Sequence, residues 1–362
     1  MMTTDPRLTS PCLPVAVGLF CLLTGIEAAV ADKDTVLRTT DYFLSHESRE
    51  PFYREQNLDP QVVLHVREVV AAGTERTAGK DNRVLLFVHG GTFPGTVAFD
   101  LDYDNVSMMR HFAKLGWDTF ALDLEGYGQS TRPAVMDEPE QYPDSKAPIG
   151  LEVTLDDVGR TVDFIRDLRG VDAVHLLGWS SGAMAEAPLY AIQQPDKVAK
   201  LILYATNYLG KGKSAEARQQ EDAKRDAEKN RYGTPADMAR WVKLGTQEDR
   251  LIPGAFEAYV EAHLASDPKS SELGGRVRAP WGRFMGWPEP HFDAGSIKVP
   301  TLVIRGDSDT LATREDNQRL VTELRSPVKQ YVEIEQAGHM IQFEKNNVVL
   351  YQAIADFLEQ TQ

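Results

Sequence analysis

The sequence predicts an α/β protein with a mostly parallel, doubly wound sheet. Short, continuous apolar runs recur along the chain, as expected for strands that are buried on both faces. Segments with apolar residues at every third or fourth position separate these runs, and this spacing is typical of helices that pack on a sheet. The 362 residues include 42% hydrophobic and 26% charged residues, which is the ordinary composition of a soluble folded protein.

Acidic residues outnumber basic residues in this chain. It has 54 Asp and Glu against 39 Lys and Arg, for a formal net charge of −15 at pH 7. Such an excess of negative charge repels phosphate backbones and anionic lipid headgroups. We therefore expect neither nucleic acid nor an anionic membrane surface as a partner, and the sequence leaves the oligomeric state open.

The N-terminal residues 1–31 have the features of a secretory signal peptide. Arg7 precedes an apolar run at residues 13–23, and the segment ends in the small residues Ala29 and Ala31. The run is too short to span a membrane comfortably, so we expect cleavage after Ala31 and no membrane span in the mature chain. We therefore expect the protein in the periplasm or outside the cell. An uncleaved anchor or a buried first helix is the alternative.

Both cysteines of the chain, Cys12 and Cys21, lie within this N-terminal segment. The mature protein would therefore have no thiol, which excludes disulfides, cysteine nucleophiles and thiolate metal sites. We expect its stability to come from the apolar core alone.

Apolar runs predict the strands, and the periodic segments between them predict the helices. We expect strands at residues 61–70, 83–88, 118–122, 173–177, 201–205, 300–304 and 330–334. We expect helices at residues 106–115, 155–168, 314–324 and 347–358. Thr154 and Asp157 have the spacing of a capping box for the second helix, which Gly170 ends. Residues 32–60 are polar and irregular.

A long interval between Tyr204 and Thr301 contains no convincing buried strand, and it far exceeds an ordinary connection. We interpret residues 208–298 as a mainly helical cap, inserted before the penultimate strand. Residues 32–207 and 299–362 then form the core domain.

Ser180 lies in the segment 178–182 (GWSSG), between the predicted strand at 173–177 and a helical stretch of small residues. A serine on such a sharp strand-to-helix turn has a strained backbone, and the two flanking glycines let neighbouring backbone pass closely. The hydroxyl then points outward at the carboxyl edge of the sheet. This context predicts a nucleophilic serine.

A serine hydroxyl needs a base to take its proton, and the base needs a carboxylate to hold its tautomer. His339 follows the last predicted strand, at the same edge of the sheet as Ser180. His65 and His175 lie within strands, which makes them poorer candidates for the base. The carboxylate candidates are Asp307 and Asp309, which follow the strand at 300–304.

With these motifs the chain resembles the α/β-hydrolases. The resemblance runs from about residue 61 to the C-terminus, and it rests on four motifs in the family's order: 89–91 (HGG), 178–182 (GWSSG), 306–309 (GDSD) and 338–339 (GH). It implies an α/β-hydrolase fold. In this family the acid is usually the last residue of the Gly-x-x-Asp pattern, which implies Asp309 rather than Asp307.

The resemblance also implies an oxyanion hole. The backbone N–H of Ser181, the residue after the nucleophile, would combine with an N–H from Gly91 or, as second choice, Thr92. For the substrate pocket the candidates are the apolar residues Trp179, Trp281, Phe284, Trp287 and Met340. The cap aromatics among them have an alternative role, which is only to pack the cap against the core.

Two patterns imitate cofactor and metal sites. The segment 126–131 resembles a dinucleotide fingerprint, but Thr131 replaces the third glycine, so we interpret it as a turn. The acidic residues at 100–104 imitate the start of a calcium loop, but Asn105 replaces its glycine and His111 its final glutamate. We expect no cofactor and no metal.

The sequence thus predicts an exported serine hydrolase that cleaves a carboxylic ester or lactone through an acyl-enzyme on Ser180. The expected substrate is a neutral, partly apolar small molecule. Amide-bond hydrolysis and haloperoxidase-like or carbon–carbon bond hydrolysis are alternatives on the same three residues. A ligand-binding protein on a hydrolase scaffold is an alternative of another class.

Overall fold

The computed structural model describes residues 35–208, 231–280 and 291–360, together with positions 219, 220, 223, 224 and 227. The expected signal segment lies outside the described residues, as do Trp281, Phe284 and Trp287. Within the part of the chain that is described, no helix is both long enough and apolar enough to cross a membrane.

A large sheet forms the centre of the molecule. The strands in the described residues are β1 (Leu37–Glu47), β2 (Gln61–Ala71), β3 (Val84–Val88), β4 (Asp118–Asp123), β5 (Val174–Trp179), β6 (Val198–Tyr204), β7 (Arg231–Gly233), β8 (Val277–Ala279), β9 (Thr301–Gly306) and β10 (Lys329–Ile334). Eight of them form one sheet in the order β1-β2-β4-β3-β5-β6-β9-β10. Only β2 pairs antiparallel within it, with β1 and with β4. The predicted mostly parallel sheet is confirmed.

Helices cover both faces of this sheet. They are α1 (Pro51–Glu55), α2 (Glu75–Lys80), α3 (Gly95–Phe99), α4 (Met108–Lys114), α5 (Ala134–Asp137), α6 (Leu151–Arg169), α7 (Ala187–Gln193), α8 (Pro235–Gly245), α9 (Ala255–Ala265), α10 (Arg314–Glu323) and α11 (Asn347–Glu359). Leu85 and Phe87 of β3 belong to one apolar cluster, and Leu86 and Val88 belong to another. Because side chains alternate along a strand, these clusters lie on opposite faces of the sheet, which is doubly wound as predicted.

The prediction that residues 32–60 are irregular is wrong for β1, which pairs with β2 along its whole length. Side chains of β1 alternate between half-buried and exposed, and Phe43 is among the exposed ones. An edge strand with one solvated face has an alternating, largely polar sequence instead of a continuous apolar run. The search for apolar runs therefore missed it.

The predicted capping box of α6 is also wrong. The helix begins at Leu151 with Gly150 at its N-cap, so Thr154 and Asp157 lie inside it and are buried. The hydroxyl of Thr154 donates to the carboxylate of Glu186. The predicted end of the helix is confirmed, because Gly170 has a left-handed backbone with φ of 64°.

The described part of the insert is mainly helical. Helix α8 begins with a capping box, in which the Thr234 hydroxyl and the Asp237 carboxylate each accept the other residue's backbone N–H. On α9, Tyr259 packs edge-on against Phe93, with ring centroids 4.9 Å apart. Since Phe93 follows β3, the insert contacts the carboxyl edge of the sheet.

A series of ionisable side chains, in which His65 and Asp123 are buried and Asp41 is exposed, joins β1, β2 and β4. His65 Nδ1 lies 2.8 Å from Asp123 Oδ2, and His65 Nε2 lies 2.9 Å from Asp41 Oδ1. Burial disfavours the charged imidazole, but the hydrogen bonds and charges of the two aspartates outweigh it and raise the pKa of His65 above its ordinary value. The histidine thus binds its proton more tightly in the folded protein than in the unfolded chain.

We expect the protein to lose stability as the pH rises through this raised pKa. The contribution of the protonated His65 is complete below the unfolded pKa of about 6.5 and is lost above the folded pKa. Urea unfolding of the wild type and of His65→Gln, near pH 6 and near pH 9, measures it. The difference in unfolding free energy between the two proteins should be larger near pH 6. Equal differences at both pH values would contradict the assignment.

Candidate active site

Ser180 directly follows β5 and has a left-handed backbone, with φ of 55°. A Cβ at Gly178 would lie 2.5 Å from the carbonyl oxygen of Gly182. A Cβ at Gly182 would lie 2.5 Å from the carbonyl oxygen of Val88 on β3. These distances leave no room for a side chain at either glycine, so the turn requires the glycines that flank Ser180.

Three backbone hydrogen bonds hold Ser180 in this conformation. Its N–H donates to the carbonyl of Tyr204, 2.9 Å away, and its carbonyl accepts the N–H groups of Ala183 and Met184. A π-helical turn, Gly182–Glu186, follows and leads into α7. The serine hydroxyl therefore lies close to the first turn of a helix, where the helix dipole favours negative charge.

His339 brings the two other predicted residues together. Its Nε2 lies 2.9 Å from Ser180 Oγ, and its Nδ1 lies 2.8 Å from Asp309 Oδ2. His339 and Asp309 are 5% and 4% exposed, so the hydrogen bond between them is shielded from water. Hydrogen bonds in such surroundings are stronger than those exposed to water.

The second carboxylate oxygen of Asp309 accepts the N–H groups of Leu311 and Ala312. The fully buried Arg305 donates to the carbonyls of Asp309 and Ala312. The loop therefore holds the carboxylate in one orientation, with its free lone pairs toward His339.

Asp307, the other candidate acid, has different partners. Its carboxylate accepts the hydroxyl of Ser308 and the N–H of Ala337. Partial burial acts to raise the pKa of Asp307, but these hydrogen bonds outweigh it and lower the pKa below its usual value. The structure thus brings Asp309, and not Asp307, to His339.

The loop that carries His339 is held from the core and from the insert. The indole N–H of Trp179 donates to the carbonyl of His339. The N–H of His339 donates to the carbonyl of Gly245, the last residue of α8 in the insert. The buried carboxylate of Glu344 accepts the N–H of Gly338, and burial raises the pKa of this carboxyl group. Three parts of the chain thus fix the position of the imidazole.

The turn after β3 lies against the nucleophile. A Cβ at Gly90 would lie 3.2 Å from Ser180 Cβ. His89 orders this turn, because its Nε2 accepts the N–H of Leu124 and its Nδ1 therefore donates to the carbonyl of Gly90. Gly91 and Thr92, the predicted oxyanion-hole residues, directly follow the glycine that contacts Ser180.

The predicted pocket residues that are described lie in the core. Trp179 is 1% exposed and stacks on Phe93, with ring centroids 5.5 Å apart. Met340 is 2% exposed. Both side chains belong to the apolar core, whereas Trp281, Phe284 and Trp287 lie outside the described residues.

Sequence reasoning missed three residues that support the site: Phe93, Gly245 and Glu344. The sequence position of Phe93 could have identified it, because this residue directly follows the predicted oxyanion turn. Gly245 and Glu344 lie in segments without a recognisable motif, and only their contact with the His339 loop identifies them.

Comparison with protein families and curated proteins finds related sequences. A family model described as alpha/beta hydrolase fold matches residues 83–346. The (Lyso)-N-acylphosphatidylethanolamine lipase of Homo sapiens is 35% identical over 124 residues, which are 34% of this chain and 30% of the lipase. The matched part is thus less than a third of that relative.

Solved structures share the fold. A thermophilic esterase from Thermogutta terrifontis superposes with a TM-score of 0.61 at 20% identity, covering 88% of this chain and 98% of the esterase. The enol-lactonase from Burkholderia xenovorans LB400 superposes with a TM-score of 0.57 at 17% identity, covering 83% of this chain and 97% of the lactonase. At these identities the likeness concerns the fold alone.

We expect Gly338→Ala to destabilise the protein by about 1 to 3 kcal/mol, because its Cβ would lie 2.2 Å from the carbonyl oxygen of Gly245 and force the insert away from the His339 loop. Gly159→Ala is the control, since Gly159 lies inside α6 and a Cβ there would meet only the Tyr190 ring, at an ordinary contact distance of 3.5 Å. Urea unfolding of both variants measures the effect. If the two variants were equally stable, the close approach of Gly245 to Gly338 would be refuted.

Proposed function

The chain belongs to the α/β-hydrolase fold family and is a hydrolase, and on this premise we propose that it is a serine hydrolase with Ser180 as its nucleophile. The observation that carries the proposal is the hydrogen-bonded series Ser180–His339–Asp309 at the carboxyl edge of the sheet. These residue types in this order and geometry form a catalytic triad.

Acylation begins with the hydroxyl of Ser180. His339 Nε2 accepts its proton while the oxygen attacks the carbonyl carbon of the substrate. Asp309 accepts the Nδ1–H of His339, which fixes the tautomer with a lone pair on Nε2 and stabilises the imidazolium that forms. Proton transfer from the imidazolium to the leaving oxygen then releases the alcohol and leaves an acyl group on Ser180.

The negative charge of the tetrahedral intermediate requires hydrogen-bond donors. We assign this role to the backbone N–H of Ser181 and to an N–H of the turn at Gly91 or Thr92, which lies beside Ser180. In the second half of the reaction, His339 takes a proton from water. The resulting hydroxide attacks the acyl group, and the imidazolium returns its proton to Ser180.

We propose a carboxylic ester or lactone of a neutral, partly apolar molecule as the substrate. In support, the relatives of this chain include proteins named as a lipase, an esterase and an enol-lactonase. The apolar contact of Tyr259 with Phe93 brings the insert close to the site. We further propose that the enzyme acts in the periplasm or outside the cell, which rests on the apolar run at residues 13–23 and on the Ala29-x-Ala31 ending.

We expect a fluorophosphonate probe to label the wild type on Ser180, because this reagent reacts with activated serine hydroxyls. Ser180→Ala should lose both the labelling and the hydrolysis of a panel of short and long esters, lactones and anilides. Ser181→Ala should still be labelled, since only the backbone of Ser181 is used and its hydroxyl has no hydrogen-bond partner among the described residues. Labelling that persists in Ser180→Ala would refute the nucleophile. The wild type's preference within the panel identifies the bond class.

We expect Asp309→Asn to lower kcat by about 10³- to 10⁴-fold, because an amide in place of the carboxylate favours the wrong tautomer of His339. Asp307→Asn should change kcat far less, since Asp307 contacts Ser308 and Ala337 and not His339. Steady-state kinetics on the best ester of the panel compares the two variants. A larger loss in Asp307→Asn would transfer the role of the acid to Asp307.

A further inference from the structure

Away from Ser180, three potential metal ligands from three separate elements converge. His46 lies near the end of β1, Glu125 lies in the turn after β4, and Asp157 lies on α6. One ligand atom from each residue lies within 4.8 Å of the ligand atoms of the other two. The side chains of Glu125 and Asp157 are completely buried, and that of His46 is 6% exposed.

The His46 imidazole is directed at the carboxylates without a hydrogen bond to them. Its Nε2 lies 3.7 Å from Asp157 Oδ1, which is too long for a hydrogen bond. Its Nδ1 has no hydrogen-bond partner among the described residues. In a metal site with bonds of about 2.1 Å, neighbouring ligand atoms lie about 3 to 3.5 Å apart, so the separation of His46 and Asp157 is close to that of two ligands of one ion.

Surrounding groups orient both carboxylates. The hydroxyls of Ser48 and Tyr53 donate to the two oxygens of Glu125. The backbone N–H of Glu125 donates to Asp157 Oδ2, which leaves Oδ1 toward His46. Hydrogen bonds that hold ligands in this way are typical of the surroundings of protein metal sites.

We propose that His46, Glu125 and Asp157 bind a divalent transition-metal ion, with Zn²⁺ as the ion that fits best. One imidazole nitrogen and two carboxylate oxygens suit Zn²⁺, whereas Ca²⁺ and Mg²⁺ favour ligand sets of oxygen alone. The two carboxylates, which are buried, also attract a cation electrostatically.

An ion at this position joins the edge strand β1 to the turn after β4 and to α6. The site is separate from the hydrogen-bonded series of Ser180, so the expected effect of the ion is on stability. The inference is therefore independent of the proposed catalytic function.

The test uses the full chain as purified and after treatment with a chelator. We expect about one Zn²⁺ per chain by elemental analysis after Zn²⁺ is added back and excess is removed, and a rise of several degrees in the melting temperature. His46→Gln and Glu125→Gln should both lose the bound Zn²⁺ and the rise. Asp156→Asn is the matched control: it removes a neighbouring carboxylate of α6 that pairs with Arg49 and Arg160 and should retain both effects.

Three results would overturn the proposal. The first is no retained Zn²⁺ and no change in melting temperature in the wild type. The second is an unchanged response in His46→Gln, which would place the ion elsewhere. The third is equal stabilisation by Ca²⁺ or Mg²⁺, which would refute a transition-metal site. If Glu125→Gln does not fold, the response of His46→Gln to Zn²⁺ tests the proposal alone. This variant should fold, because the backbone pairing of residue 46 with Val62 does not depend on the side chain.

Discussion

The arrangement of the site depends on the left-handed backbone of Ser180. A residue other than glycine in this conformation costs on the order of 1 kcal/mol or more, and it persists only where the surroundings impose it. Here the carbonyl of Tyr204 and the first helical turn hold Ser180 from both sides. Gly178 and Gly182 allow β5, β3 and the helix to approach one another closely. The strain thus directs the hydroxyl out of the sheet edge, where His339 meets it.

The position of His339 depends equally on parts of the chain that contribute no reacting atom. The side chains of Trp179 and Tyr204 both donate to the carbonyl of His339, and the carbonyl of Gly245 in the insert accepts the N–H of His339. Because a displacement of about 1 Å is enough to reduce a catalytic rate strongly, these contacts connect the packing of the insert to the chemistry at Ser180. The insert therefore contributes to the geometry of the site.

Two clusters of ionisable groups outside the triad are arranged in different ways. Asp41 and Asp123 each lie within hydrogen-bond distance of His65, and they raise the pKa of its imidazole. Around His46 the carboxylates do not approach the imidazole within hydrogen-bond distance. The inferred cation rests on the convergence of the His46 imidazole with the carboxylates of Glu125 and Asp157, whose ligand atoms lie within 4.8 Å of one another.

The sequence alone determined the parallel sheet and the most informative residues of the site. Continuous apolar runs identify buried strands. Ser180, Asp309 and His339 each lie in a short motif next to such a strand. The choice of Asp309 over Asp307 rested on the family resemblance. Tertiary structure decided what depends on contacts between distant segments: the polar edge strand β1, the support of His339 by Gly245 and Glu344, and the convergence of His46 with Glu125 and Asp157. No local pattern marks these residues, because the partner that gives each one its role lies in another part of the chain and reaches it only on folding.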